Sequence, residues 1–271
     1  ENNTNLIAMS DMQRDWGNPT IFNQLIQNGV MSFVQDSLGN DLPANLQMVI
    51  IPGDLVDNGL NYSEWESTFF DPQHPLFSYV PVYPVLGNHE NNTASYFKYF
   101  HLPNNGSVGY EEHWWFKDHS NVRIIGLNSN GAYQIAEQLL WLDTVLNTAA
   151  ADTNIDFVFV QLHHPYHSEL WPPGNTAYTG MVIPKLENFS TASGKPSIHF
   201  FGHTHGYSRG NSRDHNHMMV NVATAGGNID FWGEYAAIDY PEYIESMDEY
   251  GFVYVTVEAG VNPKLILKRF N

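Results

Sequence analysis

The chain has 271 residues, of which 42% are hydrophobic and 14% aromatic, and it contains no cysteine. That apolar share can bury a sizeable core and excludes a disordered chain, while the missing cysteine excludes a disulfide scaffold, a thiolate zinc site and a cysteine nucleophile. Against 29 Asp and Glu stand 11 Lys and Arg, a formal net charge of −18, which repels nucleic acid and anionic lipid and argues against either as a partner.

No apolar run approaches the roughly 20 residues that span a bilayer, so no membrane partner is expected. The length allows one or two domains, and no linker divides it, so residues 1–271 are expected to form a single domain. The chain opens at Glu1 without an initiator Met, as a processed or trimmed chain does. Abundant Asn, scarce Lys and absent Cys favour an extracytoplasmic home, periplasmic or secreted. No pattern in the sequence speaks to oligomeric state.

In chain order, Asn5–Met9 reads as a buried strand and runs into Ser10-Asp11-Met12-Gln13. Asn18-Pro19 opens a helix whose apolar positions recur at Ile21, Phe22, Leu25, Ile26, Val30, Phe33 and Val34. Met48–Ile51 is a second strand and ends in Pro52-Gly53-Asp54-Leu55-Val56-Asp57. The aromatic stretch Asn61–Ser78 reads as a covering helix and loop. Val82–Leu86 is a third strand and ends in Gly87-Asn88-His89-Glu90. Trp114, Trp115 and Phe116 read as strand core, followed by a strand at Arg123–Leu127. Leu139, Leu140, Leu142 and Leu146 repeat at helical spacing after Ala136.

Phe157–Leu162 is the next strand and ends in His163-His164-Pro165; Ser168–Gly180 follows as a loop. Ile198–Phe201 ends in Gly202-His203-Thr204-His205. Asn228–Tyr243 reads as a loop, and the acidic, tyrosine-rich Tyr240–Tyr250 as solvated surface. Gly251–Glu258 and Lys264–Lys268 form a terminal hairpin without an intervening helix. The pattern is an α/β core whose later strands become antiparallel. His101, His113, His119, His215 and His217 fall outside the strand-end pattern and read as surface or local hydrogen-bonding groups.

Strand after strand delivers Asp, Asn or His at its C-terminal end, the edge where α/β sheets bind ligands. Carboxylate, amide oxygen and imidazole suit a hard to borderline divalent cation. These groups are too many for one ion and natural for two, with one carboxylate bridging, because paired cations repel unless an anion lies between them. Glycines before Asp54, Asn88 and His203 are expected to turn the backbone so that each side chain points into the site.

Asp11-x-Gln13, Gly53-Asp54-x-x-Asp57, Gly87-Asn88-His89-Glu90, His163 and Gly202-His203-Thr204-His205 together resemble the ordered motifs of the calcineurin-like metallophosphoesterase superfamily. Glu137–Leu142, Gly202–Arg209, Ala223–Asn228 and Asp248–Val253 are similar to the purple acid phosphatase branch, the last two to its closing strands. The resemblance implies two packed mixed β-sheets flanked by helices, a four-layer α/β/β/α sandwich. It implies one ion on Asp11, Asp54 and His205 and a second on Asp54, Asn88, His163 and His203, with His89 beside the leaving group. Two divalent ions (Mn, Fe, Zn, Mg or Ca) would lower the pKa of a water and supply hydroxide for in-line attack on phosphorus, with His89 as proton donor.

Two positions depart from the resemblance. Asp57 stands where purple phosphatases have a tyrosine, which removes the reason to expect Fe(III) and a purple colour. Gln13 stands where other members have His; it either binds through its carbonyl oxygen or leaves the place to water. Asp57 and His164 are expected to support ligand histidines rather than bind metal. Arg14 and His167 are candidates for the substrate phosphate together with Asn88 and His89, with a surface loop as the alternative for His167; Arg209 is expected to pair with a carboxylate. Trp65, Trp171 and Trp232 fall in segments that could rim the pocket and stack on a substrate ring. The expected activity is hydrolysis of small soluble phosphate monoesters. Phosphodiester hydrolysis at the same site is the alternative within the enzyme class, and a non-catalytic metal-binding scaffold the alternative outside it.

Overall fold

A computed structural model describes residues 3–271. Strands β1 (Thr4–Ala8), β2 (Met48–Ile51) and β3 (Val82–Pro84) precede β4 (Trp115–His119), β5 (Val122–Gly126), β6 (Phe157–Gln161) and β7 (Ser197–Phe201). They are followed by β8 (Tyr207–Asn211), β9 (His217–Val222), β10 (Tyr243–Met247), β11 (Phe252–Glu258) and β12 (Lys264–Phe270). Two mixed sheets result, ordered β12-β11-β1-β2-β3 and β10-β8-β9-β7-β6-β5-β4. In the first, β1, β2 and β3 are parallel and the terminal hairpin runs antiparallel to β1. In the second, β5, β6, β7 and β9 are parallel, with antiparallel strands at both edges.

The central parallel strands β2, β5, β6 and β7 are buried along their whole length because both their faces are covered. Leu6, Ile7 and Ile50 of the first sheet and Val122, Phe159, Phe200 and Val220 of the second share one core. On the outer face of the larger sheet, Ile125, Val158 and Val160 pack against Leu142 and Leu146 of helix Ala136–Ala151 and Val182 and Leu186 of helix Thr179–Ser193. On the smaller sheet, Phe33 of the helical stretch 21–37 packs its ring against Phe252, Tyr254 and Phe270. The arrangement is the expected sandwich of two sheets between helices. Among the described residues no helix is long and apolar enough to cross a membrane.

Several local expectations need correction. Within Tyr240–Tyr250, residues Tyr243–Met247 form edge strand β10, paired with β8 around a bulge between Tyr243 and Glu245. Only Tyr243 of that strand is buried, and an edge tolerates the acidic residues that made it look like loop. Ala223–Asn228 is a loop after β9, not a strand. Helix Thr179–Ser193 begins where only a loop was expected, its apolar positions interrupted by Pro184. Leu140, assigned to an apolar helix face, is 66% exposed, while Leu142 and Leu146 are buried.

Candidate metal centre

The strand-end residues converge, and they do so through unusual backbone. Asp11 (φ 60°), Asp54 (φ 53°) and His203 (φ 74°) all adopt left-handed conformations, each of which costs about 1–3 kcal/mol in a residue with a side chain. The expected turn-making role of the glycines is therefore only part of the reason for them. At Gly87 and Gly202 the need is space: a Cβ at 87 would overlap the Asp54 carboxylate, and one at 202 the Asp11 carboxylate.

Asp54 is the centre of the cluster. Its Oδ1 accepts the backbone N–H of His89 at 2.9 Å and its Oδ2 the side-chain amide of Gln13 at 2.7 Å. The same Oδ2 lies 3.1 Å from His163 Nε2. His163 Nε2 is also 3.0 Å from Asn88 Oδ1 and 3.2 Å from His203 Nδ1. One donor atom each of Asp54, His163 and His203 lies within 4.8 Å of the others. Beside this group, His205 Nε2 lies 3.2 Å from Asp11 Oδ1, and the backbone N–H of His203 donates to the same carboxylate.

The proton positions implied by these partners favour a cation. His163 Nδ1 lies 2.9 Å from the carbonyl of Pro52, and His205 Nδ1 lies 2.7 Å from the carbonyl of Asn228. A carbonyl can only accept, so both Nδ1 atoms are assigned as N–H donors. Each Nε2 then presents a lone pair to a carboxylate oxygen, acceptor facing acceptor. Only a positive charge between them, a proton or a metal ion, relieves that arrangement. Burial opposes a charge on His163, yet Asp54 raises its pKa to about 9. Burial likewise opposes a charge on His205, and Asp11 raises it to about 9. Burial penalises ionised Asp54, but His163 holds its carboxyl below the usual range. His203, by contrast, is pushed down to about 3 by burial and by His163, so it is a neutral imidazole. Gln13 Oε1 is buried without a hydrogen-bond partner. Two carboxylates, three imidazoles, the Asn88 amide oxygen and this orphaned oxygen are a donor set that fits divalent cations.

Other candidates sit differently. His89 Nδ1 lies 2.6 Å from the carbonyl of Asp57, and its Nε2 faces Asp54 Oδ2 at 3.9 Å from a side chain 39% exposed. The Asp57 carboxylate accepts the backbone N–H of Arg14 at 3.2 Å, so it braces the first motif rather than a ligand histidine. His164 Nδ1 is 2.9 Å from Ser129 Oγ, and its ring packs on that of His203. The Arg14 guanidinium lies over the exposed Trp16 ring. Arg209 pairs with Glu245 at 2.6 Å, as expected. His167 does not join the cluster: its ring stacks between Tyr166 and Tyr240 and lines a different cavity with Arg213 and Asp214. Trp65 is fully buried among Phe69, Tyr99 and Phe100 and cannot rim a pocket. Trp171 lines a cavity beside the cluster, and Trp232 is 42% exposed.

Three supporting groups carry no assignment from the sequence. Glu90 is fully buried and accepts the N–H groups of Asp54, Leu55 and Gly87 at 2.6–3.0 Å, tying two motif loops together. Burial, and then the Asp54 charge, push its pKa up to about 8. Asp230 accepts the backbone N–H of His205 at 2.7 Å. Asn130 donates to the carbonyls of Leu86 and Gly87. Asn128-Ser129-Asn130 follows its strand just as the other motifs follow theirs, a signal that could have been read.

The family model for calcineurin-like phosphoesterases matches residues 4–207. An uncharacterized protein of Mycobacterium tuberculosis is 27% identical over 166 residues, covering 48% of this chain and 31% of that protein. A protein of Arcobacter nitrofigilis named a probable glycerophosphodiester phosphodiesterase is 30% identical over 141 residues, covering 46% of this chain and 44% of that one. The chain thus spans less than half the length of these relatives. Among solved structures, a purple acid phosphatase from yellow lupin seeds superposes with TM-score 0.71 at 16% identity, over 99% of this chain and 52% of that one. The anchor protein of the Plasmodium inner membrane complex superposes with TM-score 0.69 at 14% identity, over 99% and 84%. At these identities the structural likeness is one of fold.

Proposed function

Because the chain belongs to the calcineurin-like phosphoesterase family, we propose that it is a metal-dependent hydrolase with a paired-cation centre, acting on monoesters of small soluble phosphate compounds. One observation carries this reading: His163 and His205 each turn a lone pair toward a carboxylate while the other ring nitrogen is tied to a carbonyl. Asp11, Asp54 and His205, with Gln13 Oε1 beside them, would hold one ion. Asp54, Asn88, His163 and His203 would hold the other. When bound, divalent ions supply Lewis-acid activation of water and neutralise charge on the phosphate oxygens.

The chain's own residues do the rest. The left-handed backbones and the Glu90 anchor fix the donors before any substrate arrives, which is where pre-organised electrostatic catalysis gains most. His89 is held at Nδ1 by the Asp57 carbonyl, and its Nε2 stands 3.9 Å from Asp54 Oδ2 on a side chain 39% exposed. Protonated there, it donates to the departing ester oxygen. Asn88 and His89 are the substrate-facing pair in this reading, and Arg14 joins them only if its guanidinium leaves Trp16.

The proposal extends to one domain over residues 1–271, supported by the core shared between the sheets, and to an extracytoplasmic location, supported by the cysteine-free, asparagine-rich composition. A diesterase reading is favoured by the identity with the Arcobacter protein, and a scaffold reading by the fold of the Plasmodium anchor. A single experiment separates the three. The metals are stripped with a chelator, Mn, Mg, Zn, Fe, Co and Ca are returned singly, and an aryl phosphate monoester is compared with its diester. Faster monoester turnover with at least one ion is expected. Faster diester turnover makes the protein a diesterase, and activity on neither makes it a scaffold.

A further inference from the structure

Beside the candidate metal centre lies a cavity of about 380 Å³ whose walls include His203, His164, Pro165, Trp171, Asn175 and Thr176. Two of its walls, His203 and His164, belong to or touch the donor cluster, so whatever enters it is next to the reacting phosphate. No Lys, Arg, Asp or Glu lines it. That is notable in a chain with 29 acidic residues. A charged leaving group would find no counter-charge there, whereas an apolar ring would meet an indole, a proline and imidazoles.

Trp171 is held as a wall rather than left as a mobile surface group. Its indole meets the ring of His203 edge to face at 5.4 Å and that of Tyr235 at 6.0 Å. Its backbone N–H donates to Ser168 Oγ at 3.0 Å, and Ser168 Oγ pairs with Thr204 Oγ1 at 2.8 Å. Both hydroxyl residues are buried. Thr204 is the residue between His203 and His205, so the wall is tied to the metal motif itself. Asn175, also on the wall, has its N–H donating to the carbonyl of Pro165 at 2.8 Å. The volume suits one aromatic ring system with small substituents, at the lower end of the range for small-molecule sites.

We propose that this cavity receives the organic part of the ester and that Trp171 stacks on it, so that the enzyme selects phosphate esters whose leaving group is an uncharged planar aromatic ring over those with aliphatic or charged leaving groups. The inference rests on the hydrolase reading for the chemistry, but its recognition step can be read without turnover. In the metal-loaded protein, binding of phenylphosphonate and methylphosphonate is measured by calorimetry for wild type, Trp171→Ala and Trp171→Phe. Circular dichroism and the thermal midpoint verify that each variant is folded. Wild type binds the phenyl compound about 10-fold more tightly than the methyl one. Trp171→Ala collapses that ratio toward one, and Trp171→Phe restores most of it, a rescue that a merely structural role would not produce. In parallel, Trp171→Ala raises KM for phenyl phosphate more than for methyl phosphate.

An affinity ratio that Trp171→Ala leaves unchanged, in a protein that still hydrolyses phenyl phosphate, overturns the inference and leaves the hydrolase reading standing. A Trp171-dependent preference in a protein that hydrolyses no ester upholds the cavity and overturns the hydrolase reading.

Discussion

Gly87 and Asp54 stand so close that a side chain at position 87 would occupy the space of the Asp54 carboxylate. The contact explains why a residue without a Cβ precedes Asn88, and it sets the position of the group at the middle of the donor cluster. Gly87→Ala is therefore expected to displace Asp54. A misplacement of about 1 Å costs about 10²-fold in turnover. Metal content measured by elemental analysis should fall with it, and a variant that keeps both metal and activity refutes the close-packing account.

His89 is expected to separate turnover from metal retention. Its Nδ1 lies against the Asp57 carbonyl, and its Nε2 stands 3.9 Å from Asp54 Oδ2, farther than the 3.1 Å at which His163 meets that oxygen. His89→Ala should cut turnover by about 10²–10³-fold with unchanged metal content. Joint loss of metal and activity would make His89 a ligand.

Glu90 accepts three backbone N–H groups from two loops. Glu90→Ala strands these buried donors and is expected to lower stability by about 3–5 kcal/mol. Glu90→Gln keeps one acceptor oxygen and should lose roughly half as much. Denaturant unfolding checks both values, and an unchanged midpoint in the alanine variant contradicts the anchoring role.

Acid should destabilise the protein through a buried pair far from the expected chemistry. His217 Nδ1 pairs with Ser197 Oγ at 2.7 Å, and His217 Nε2 with His199 Nδ1 at 3.0 Å. Burial, and then His215, push the His217 pKa down to about 3, and burial and His217 push His199 down as well. Both are neutral in the folded chain and return to the ordinary value of about 6.5 on unfolding. The unfolded state takes up protons first, so stability is full above about pH 6.5 and falls as the pH drops toward 3. At pH 5 the loss from His217 alone is about 2 kcal/mol. Unfolding free energies at pH 7.5 and 5 should differ less in His217→Gln than in wild type. Equal differences would remove these histidines from the account.

Much of the site was legible along the chain. Asp11, Asp54, Asn88, His163, His203 and His205 were readable because each follows a largely apolar run, and the C-terminal ends of the parallel strands are where such a sheet presents its ligand-binding polar groups. Strands β8 and β9 escaped notice, and two further missed elements carry a mixed local signal. β10 carries Glu245 within an acidic flanking stretch, which an edge tolerates, and helix Thr179–Ser193 carries Pro184 inside an otherwise periodic face. Glu90 was visible as a letter but not as an anchor, because its partners at Asp54 and Leu55 lie 36 and 35 residues away in sequence and meet it only across the sheet edge.

The order of residues alone determined the fold class and the chemistry of the donors, since hydrophobic periodicity and side-chain type are local properties. Which tryptophan faces the cavity, where His167 goes and which glycines are needed for space were decided only by tertiary structure. Trp65 and Trp171 are the same side chain, yet one is sealed among aromatic rings and the other walls an open cavity. Burial of that kind depends on which distant segments pack together, and no single stretch of chain contains that information.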